Sequence, residues 1–152
     1  MVGALAANYR SHCLVRAGGA SVTVGKAVIS IVDDDETVRE AMARLMKSHG
    51  YIVRTFDSGP SLLNSEHRSD ADFLIADVQM PEMTGLELHD QLVAAGDRTP
   101  TVLITAHPNE AMRLRALQVG VRGYLTKPID EDDLLRLVRA AVEESEANGR
   151  RR

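Results

Sequence analysis

The stretch IVDDDETV, residues 31–38, sets three aspartates, Asp33, Asp34 and Asp35, at the end of the apolar run VISIV. Adjacent carboxylates repel one another unless water, a helix start or a cation absorbs the charge. Other polar residues stand in similar places: Asp57 after YIVRTF, Asp77 after FLIA, Thr105 after TVLI, and Thr126 with Lys127 after GYL. Carboxylates, a hydroxyl and an ammonium gathered on one rim would make a phosphoryl site. A hard divalent ion with oxygen ligands, Mg²⁺ above all, relieves the repulsion between the carboxylates. An ammonium opposite the metal shares the charge of the phosphoryl oxygens. Singly, each residue has an ordinary use. Asp35 suits a helix N-cap, Asp57 and Asp77 suit turns, Thr105 is a β-branched strand residue, and Lys127 is a surface charge. Only their joint occurrence at strand ends points to chemistry.

The elements that must position them alternate in type from Lys26 onward. AVISIV is a continuous β-branched run, as in a strand buried on both faces. Glu36 to His49 has Val38, Met42, Leu45 and Met46 near helical spacing, with Gly50 after it as a natural stop. YIVRTF is a second strand, and Ser58 with Pro60 opens a short helix. FLIA is the third strand. Thr84 and Glu87 form a Thr-x-x-Glu capping box for LELHDQLVAAG. TVLIT is the fourth strand, and Pro108 suits the first position of a helix running to Val119. GYLT is the fifth strand. Asp130 can cap a last helix with Leu134, Leu137, Val138, Ala141 and Val142 on one stripe. Five strands, each followed by a helix, predict an α/β fold with a doubly wound parallel sheet covered on both faces. Ligands of such sheets bind beyond the carboxyl ends of the strands.

The chain has 152 residues, which favours one folded unit, here residues 26–146. Residues 1–25 lack acidic residues and are rich in Ala, Gly and Ser, so they are read as a flexible extension; residues 147–152 read as a charged tail or linker remnant. A net charge of −4 gives no bulk attraction to nucleic acid. An aromatic content of 3% leaves few stacking platforms for single strands. The single cysteine, Cys13, has no internal disulfide partner, and His12 beside it does not complete a metal site. No apolar run approaches the ~18 residues of a membrane span, and the cytoplasm is the expected location.

The stretches IVDDDETVR, DFLIADVQMPEMTGLEL, TVLITAH and GYLTKPID, taken in that order, resemble the receiver domain of bacterial two-component response regulators. The resemblance covers about residues 27–143 and leans toward the receivers of nitrogen-fixation (FixJ-like) regulators. It implies a flavodoxin-like fold with strand order 2-1-3-4-5 and five helices. It implies Asp77 as phosphoacceptor, taking a phosphoryl group from a sensor histidine kinase or a histidine phosphotransfer protein. Asp33 and Asp34 would form the acidic pocket for Mg²⁺, with Mn²⁺ as a substitute and Asp34 foremost as a direct ligand. Asp77 and the backbone carbonyl of Gln79 would complete the protein's share. Thr105 and Lys127 would contact phosphoryl oxygens, and the Lys127–Pro128 bond would be cis. Tyr124 would be the switch aromatic, while Gln79 and His107 would tune phosphoryl lifetime. The protein would act on itself alone rather than as an enzyme. A homodimer would use the face of the fourth helix, fifth strand and fifth helix, carrying Met112, Leu117, Arg122 and Tyr124.

Two alternatives accompany this reading. The chain has no room for a DNA-binding domain after its last helix, so it is a stand-alone receiver or the N-terminal fragment of a FixJ-like transcription regulator. IVDDDETV also resembles the start motif of haloacid-dehalogenase phosphatases, with Asp33 as nucleophile and Asp35 and Thr37 beside it. That enzyme needs a further acidic pair at a strand end beyond its lysine. The acids there, Asp130 to Asp133, instead begin an amphipathic helix.

Overall fold

Buried apolar strands determine the architecture. The computed structural model describes residues 12–17 and 20–147. Five of its strands form one parallel sheet: β3 (Val28–Val32), β4 (Ile52–Phe56), β5 (Phe73–Asp77), β6 (Thr101–Thr105) and β7 (Gly123–Thr126). Their order is β4-β3-β5-β6-β7. Counted within this sheet, that is the expected order 2-1-3-4-5. Every residue of β3, β5 and β6 is buried, which is why these strands read as unbroken apolar runs rather than alternating ones.

Helices cover both faces: α1 (Glu36–Ser48), α2 (Gly59–Leu63), α3 (Gly85–Ala94), α4 (Glu110–Gln118) and α5 (Glu131–Ala147). On one face Ile29, Ile31, Phe73, Ile75 and Ile104 pack against Met42 and Met46 of α1 and Leu134 and Val138 of α5. On the other, Val32, Leu74, Ala76 and Leu103 pack against Leu62 of α2, Leu86, Leu88 and Leu92 of α3, and Ala116 of α4. Each such large side chain, buried in full, contributes roughly 1.5–3 kcal/mol.

Helix starts follow local polar chemistry. Asp35 caps α1, accepting from the backbone of Thr37 at 2.9 Å and Val38 at 3.3 Å. Thr84 and Glu87 bond reciprocally at 2.9 and 3.1 Å. Asp130 accepts from the backbone of Asp133 at 3.1 Å. One boundary differs from the sequence reading. Pro108 is not the first residue of α4. Asn109 takes the N-cap place, its side chain accepting from the Met112 backbone at 3.0 Å, so the helix begins two residues later, at Glu110.

A separate antiparallel pair precedes the main sheet: β1 (His12–Ala17) and β2 (Ala20–Gly25), in register from His12 opposite Gly25 to Ala17 opposite Ala20. The segment read as a flexible extension thus contains paired backbone, for which the run SVTV has the β-branched composition. Residues 1–11 and 148–152, and with them most of the tail, lie outside the described residues.

Gly85 fixes how closely α3 approaches the end of β5. A Cβ there would lie 2.4 Å from the carbonyl oxygen of Asp77 and 3.1 Å from Leu103. The obstacle is backbone and cannot rotate away. Gly85→Ala is therefore expected to lower stability by about 1–3 kcal/mol, as overpacking does, read as a lower urea midpoint.

Candidate functional site

The carboxyl ends of β3, β5, β6 and β7 bring the polar residues together. Asp33 follows the last residue of β3 and is fully buried. Its backbone N–H donates to the carbonyl of Phe56 at 3.1 Å, and its Oδ1 accepts from the backbone N–H of Asp35 at 2.8 Å. Arg39, one turn into α1, donates to the Asp33 carbonyl at 2.6 Å. The sequence reading gave Arg39 no role. The available signal is its spacing, four residues after the cap Asp35, which turns a long side chain back toward the helix start. Asp34 is exposed, and Asp77 closes β5 with 4% exposure. Ligand oxygens of Asp33, Asp34 and Asp77 all lie within 4.8 Å of one another. Asp35, spent on its cap, and Asp57, exposed beyond β4, stand outside that cluster.

Lys127, just past β7, supplies the opposing charge. Its Nζ lies 3.2 Å from Asp33 Oδ2 and 3.5 Å from Asp77 Oδ2. The following Lys127–Pro128 bond is cis. Burial works to lower the lysine's pKa, but Asp33 and Asp77 outweigh it, and the ammonium titrates above its usual range. Asp77 is pushed up to about 6, first by burial and then by the Asp33 charge, with Lys127 opposing. Its second oxygen, Oδ1, is enclosed and has no hydrogen-bond partner. Three clustered carboxylates, two of them with a buried oxygen that has no hydrogen-bond partner (Asp33 Oδ2 and Asp77 Oδ1), fit the donor set of a small hard cation such as Mg²⁺.

Thr105 ends β6 fully buried. Its hydroxyl donates to Gln79 Oε1 at 2.6 Å and accepts from the His107 backbone at 2.9 Å. Its carbonyl accepts from the Lys127 backbone at 2.8 Å. The contact between the Gln79 side chain and Thr105 is absent from the sequence reading, which gave Gln79 a carbonyl for the cation and a part in phosphoryl lifetime. Tyr124 is half-buried among the residues around α3 and α4, its hydroxyl enclosed without a hydrogen-bond partner. Away from the sheet ends, Leu117 is exposed, Met112 is partly buried, and Arg122 pairs with Glu144 of α5 at 2.6 Å.

The raised Asp77 has a consequence for stability. The folded state holds this proton more tightly than the unfolded chain, whose aspartates titrate near 3.9. The associated stability is present below about pH 4 and is lost as pH rises through about 6. In metal-free protein Asp77→Asn is therefore expected to gain roughly 1–3 kcal/mol at pH 7.5. The gain should shrink toward zero near pH 4, followed by thermal melts across that range.

Comparison with known proteins agrees with this arrangement. The family model described as the response regulator receiver domain matches residues 29–139. The response regulator protein TodT of Pseudomonas putida is 40% identical over 116 residues, which is 76% of this chain and 51% of that protein. The transcriptional regulatory protein FixJ of Azorhizobium caulinodans is 32% identical over 122 residues, 80% of this chain and 58% of its own. Among solved structures, the response regulator StyR superposes with a TM-score of 0.72 at 36% identity, covering 82% of this chain and 65% of that one. The chain thus spans about half the length of the TodT relative. A matched family model over most of the chain, relatives of this identity and the five-stranded order of the sheet lead to one assignment: the chain belongs to the receiver domain family of response regulators, the FixJ-like kind included, whose members work in two-component signalling.

Proposed function

We propose that this domain is a phosphoaspartate switch, with Asp77 accepting a phosphoryl group from the phosphohistidine of a partner kinase or phosphotransfer protein. The observation that carries this is the unequal use of two buried carboxylates. Asp33 has one oxygen committed to the Asp35 backbone and the other against Lys127. Neither Asp33 Oδ2 nor Asp77 Oδ1 has a hydrogen-bond partner, but Lys127 lies against the former, whereas on Asp77 it lies against the other oxygen, Oδ2, and leaves Oδ1 open. The freer carboxylate is the better nucleophile, which favours Asp77 over Asp33 and disfavours the phosphatase reading. In the reaction an Asp77 oxygen bonds to phosphorus as the P–N bond breaks, and the electron pair stays on the departing imidazole nitrogen. Asp33, Asp34, Asp77 and the Gln79 carbonyl would hold Mg²⁺, with Mn²⁺ able to replace it. Such a cation, when bound, neutralises charge on the oxygens of the transferring group. Lys127 offsets the same charge from the opposite side, and Thr105 donates to a phosphoryl oxygen. The modification adds about −1.5 to −2 charges and three acceptors, so Thr105 and Lys127 gain a partner in one state only. Tyr124 follows Thr105, and Gln79 and His107 tune how long the group survives.

The receiver unit is residues 26–146, with the segments before and after it outside the switch. Its output passes through the face of α4, β7 and α5, by homodimerisation or by contact with a partner protein, in the cytoplasm. A second reading has a specific support. The matched stretch covers only 51% and 58% of the two relatives, and one of them is named a transcriptional regulatory protein. On that reading the switch governs a DNA-binding region elsewhere in the full protein.

Incubation with Mg²⁺ and a small phosphodonor is expected to add one base-labile phosphoryl mass to the wild type and none to Asp77→Asn. Modification that persists in Asp77→Asn but vanishes in Asp33→Asn would transfer the nucleophile to Asp33. The pKa of Asp77 near 6 sets a second expectation. Protons compete with the cation for this carboxylate, so Mg²⁺ affinity measured by calorimetry should be level above about pH 6.5. It should weaken by up to about ten-fold per unit below pH 6.

A further inference from the structure

The hydroxyl proton of Thr105 is committed before any phosphoryl group arrives. A threonine hydroxyl has one proton to give. It accepts from the His107 N–H at 2.9 Å, which leaves that proton free to donate, and the proton goes to Gln79 Oε1 at 2.6 Å. The amide presents its oxygen end to the hydroxyl and so can receive that proton. The backbone explains the reach. The Val78 N–H donates to the Ile104 carbonyl at 2.8 Å, so the ladder between β5 and β6 continues one residue past Asp77. Gln79 is the first residue beyond that ladder, beside Thr105. Its side chain is exposed while Thr105 is fully buried, so it reaches inward from the rim.

We propose that the Gln79 side chain is a latch on the resting switch: its amide oxygen holds the Thr105 hydroxyl, and a phosphoryl group on Asp77 must take that hydrogen bond away. This rests on Asp77 being the acceptor. The latch biases the unmodified protein toward the resting arrangement by the worth of one neutral hydrogen bond, a factor of about three to ten. By linkage, any group that needs the Thr105 hydroxyl is weakened by up to the same factor. The latch is a positioning device; Gln79 acts through Thr105 and its amide need not touch the reacting atoms.

The test compares wild type with Gln79→Met, which keeps the length and removes the acceptor, and Gln79→Asn, which keeps an acceptor but shortens the reach. Gln79 is exposed, so both are expected to fold. NMR of the Thr105 methyl and the Tyr124 ring is recorded in unmodified, metal-free protein. Beryllofluoride is then titrated in the presence of Mg²⁺. In both variants the unmodified resonances should move along the line toward the beryllofluoride-loaded wild type, and half-saturation should need about three- to ten-fold less beryllofluoride. If wild type loads but both variants keep wild-type resonances and midpoints, the latch is wrong and the acceptor reading stands. If wild type and variants alike fail to load at Asp77, the acceptor reading falls and the latch with it.

Discussion

Two aspartates and one lysine share a place that water scarcely reaches, and the rest of the domain is arranged around that difficulty. Asp33 and Asp77 are buried side by side, and Lys127 lies within 3.2 Å of one and 3.5 Å of the other. The strand order is what makes the relief available. β3 and β5 are neighbours, so their terminal carboxylates meet directly. β7 lies two places from β5, with β6 between them, a gap of roughly 10 Å at the usual strand spacing. A long, unbranched cationic side chain spans it. The end of β3 is steadied further by the Arg39 bond to the Asp33 carbonyl, so the first helix helps to hold the most buried acid.

Much of this was legible in the residues. Strands buried on both faces left unbroken β-branched runs, and caps such as Thr84 with Glu87 are written in adjacent positions. The polar residues at strand ends declared the site because ligands of parallel sheets gather there. What could not be read depends on distances that sequence spacing does not encode. Asn109 displaced Pro108 as the start of α4 because a side chain, not a ring constraint, satisfied the free N–H of Met112 in the first turn. The contact of Arg39 with Asp33, and that of the Gln79 amide with Thr105, arise only once separate elements are brought together. The closeness of Gly85 to the Asp77 carbonyl likewise appears only when α3 is laid against β5. The pairing within residues 12–25 was missed because Gly and Ala interrupt a run whose period is short.

The helices do not hold equally. α5 buries six residues, while α4 buries only Ala116, leaving Leu114 and Leu117 exposed. Few buried contacts mean that displacement of α4 costs less than displacement of α5. Tyr124 packs toward α4 with an unsatisfied hydroxyl, so no polar anchor opposes its movement. The helix beside Tyr124 is therefore the one held by the fewest buried residues.

Side chains alternate across a sheet, and this separates the two tasks of the domain. Asp77 continues the series of Phe73 and Ile75, which belong to the α1 and α5 side. Asp33 extends the series of Ile29 and Ile31, and Lys127 that of Leu125, on the same side. Thr105 continues the series of Leu103, and Tyr124 belongs with it, on the side of α3 and α4. The groups that handle charge thus grow from the more deeply packed side of the sheet, and those that would report on it from the looser one. On the proposed function the sheet would act as a partition: a rearrangement on the α3 and α4 side would leave the scaffold of the charged residues in place, so the surface could change without dismantling the pocket.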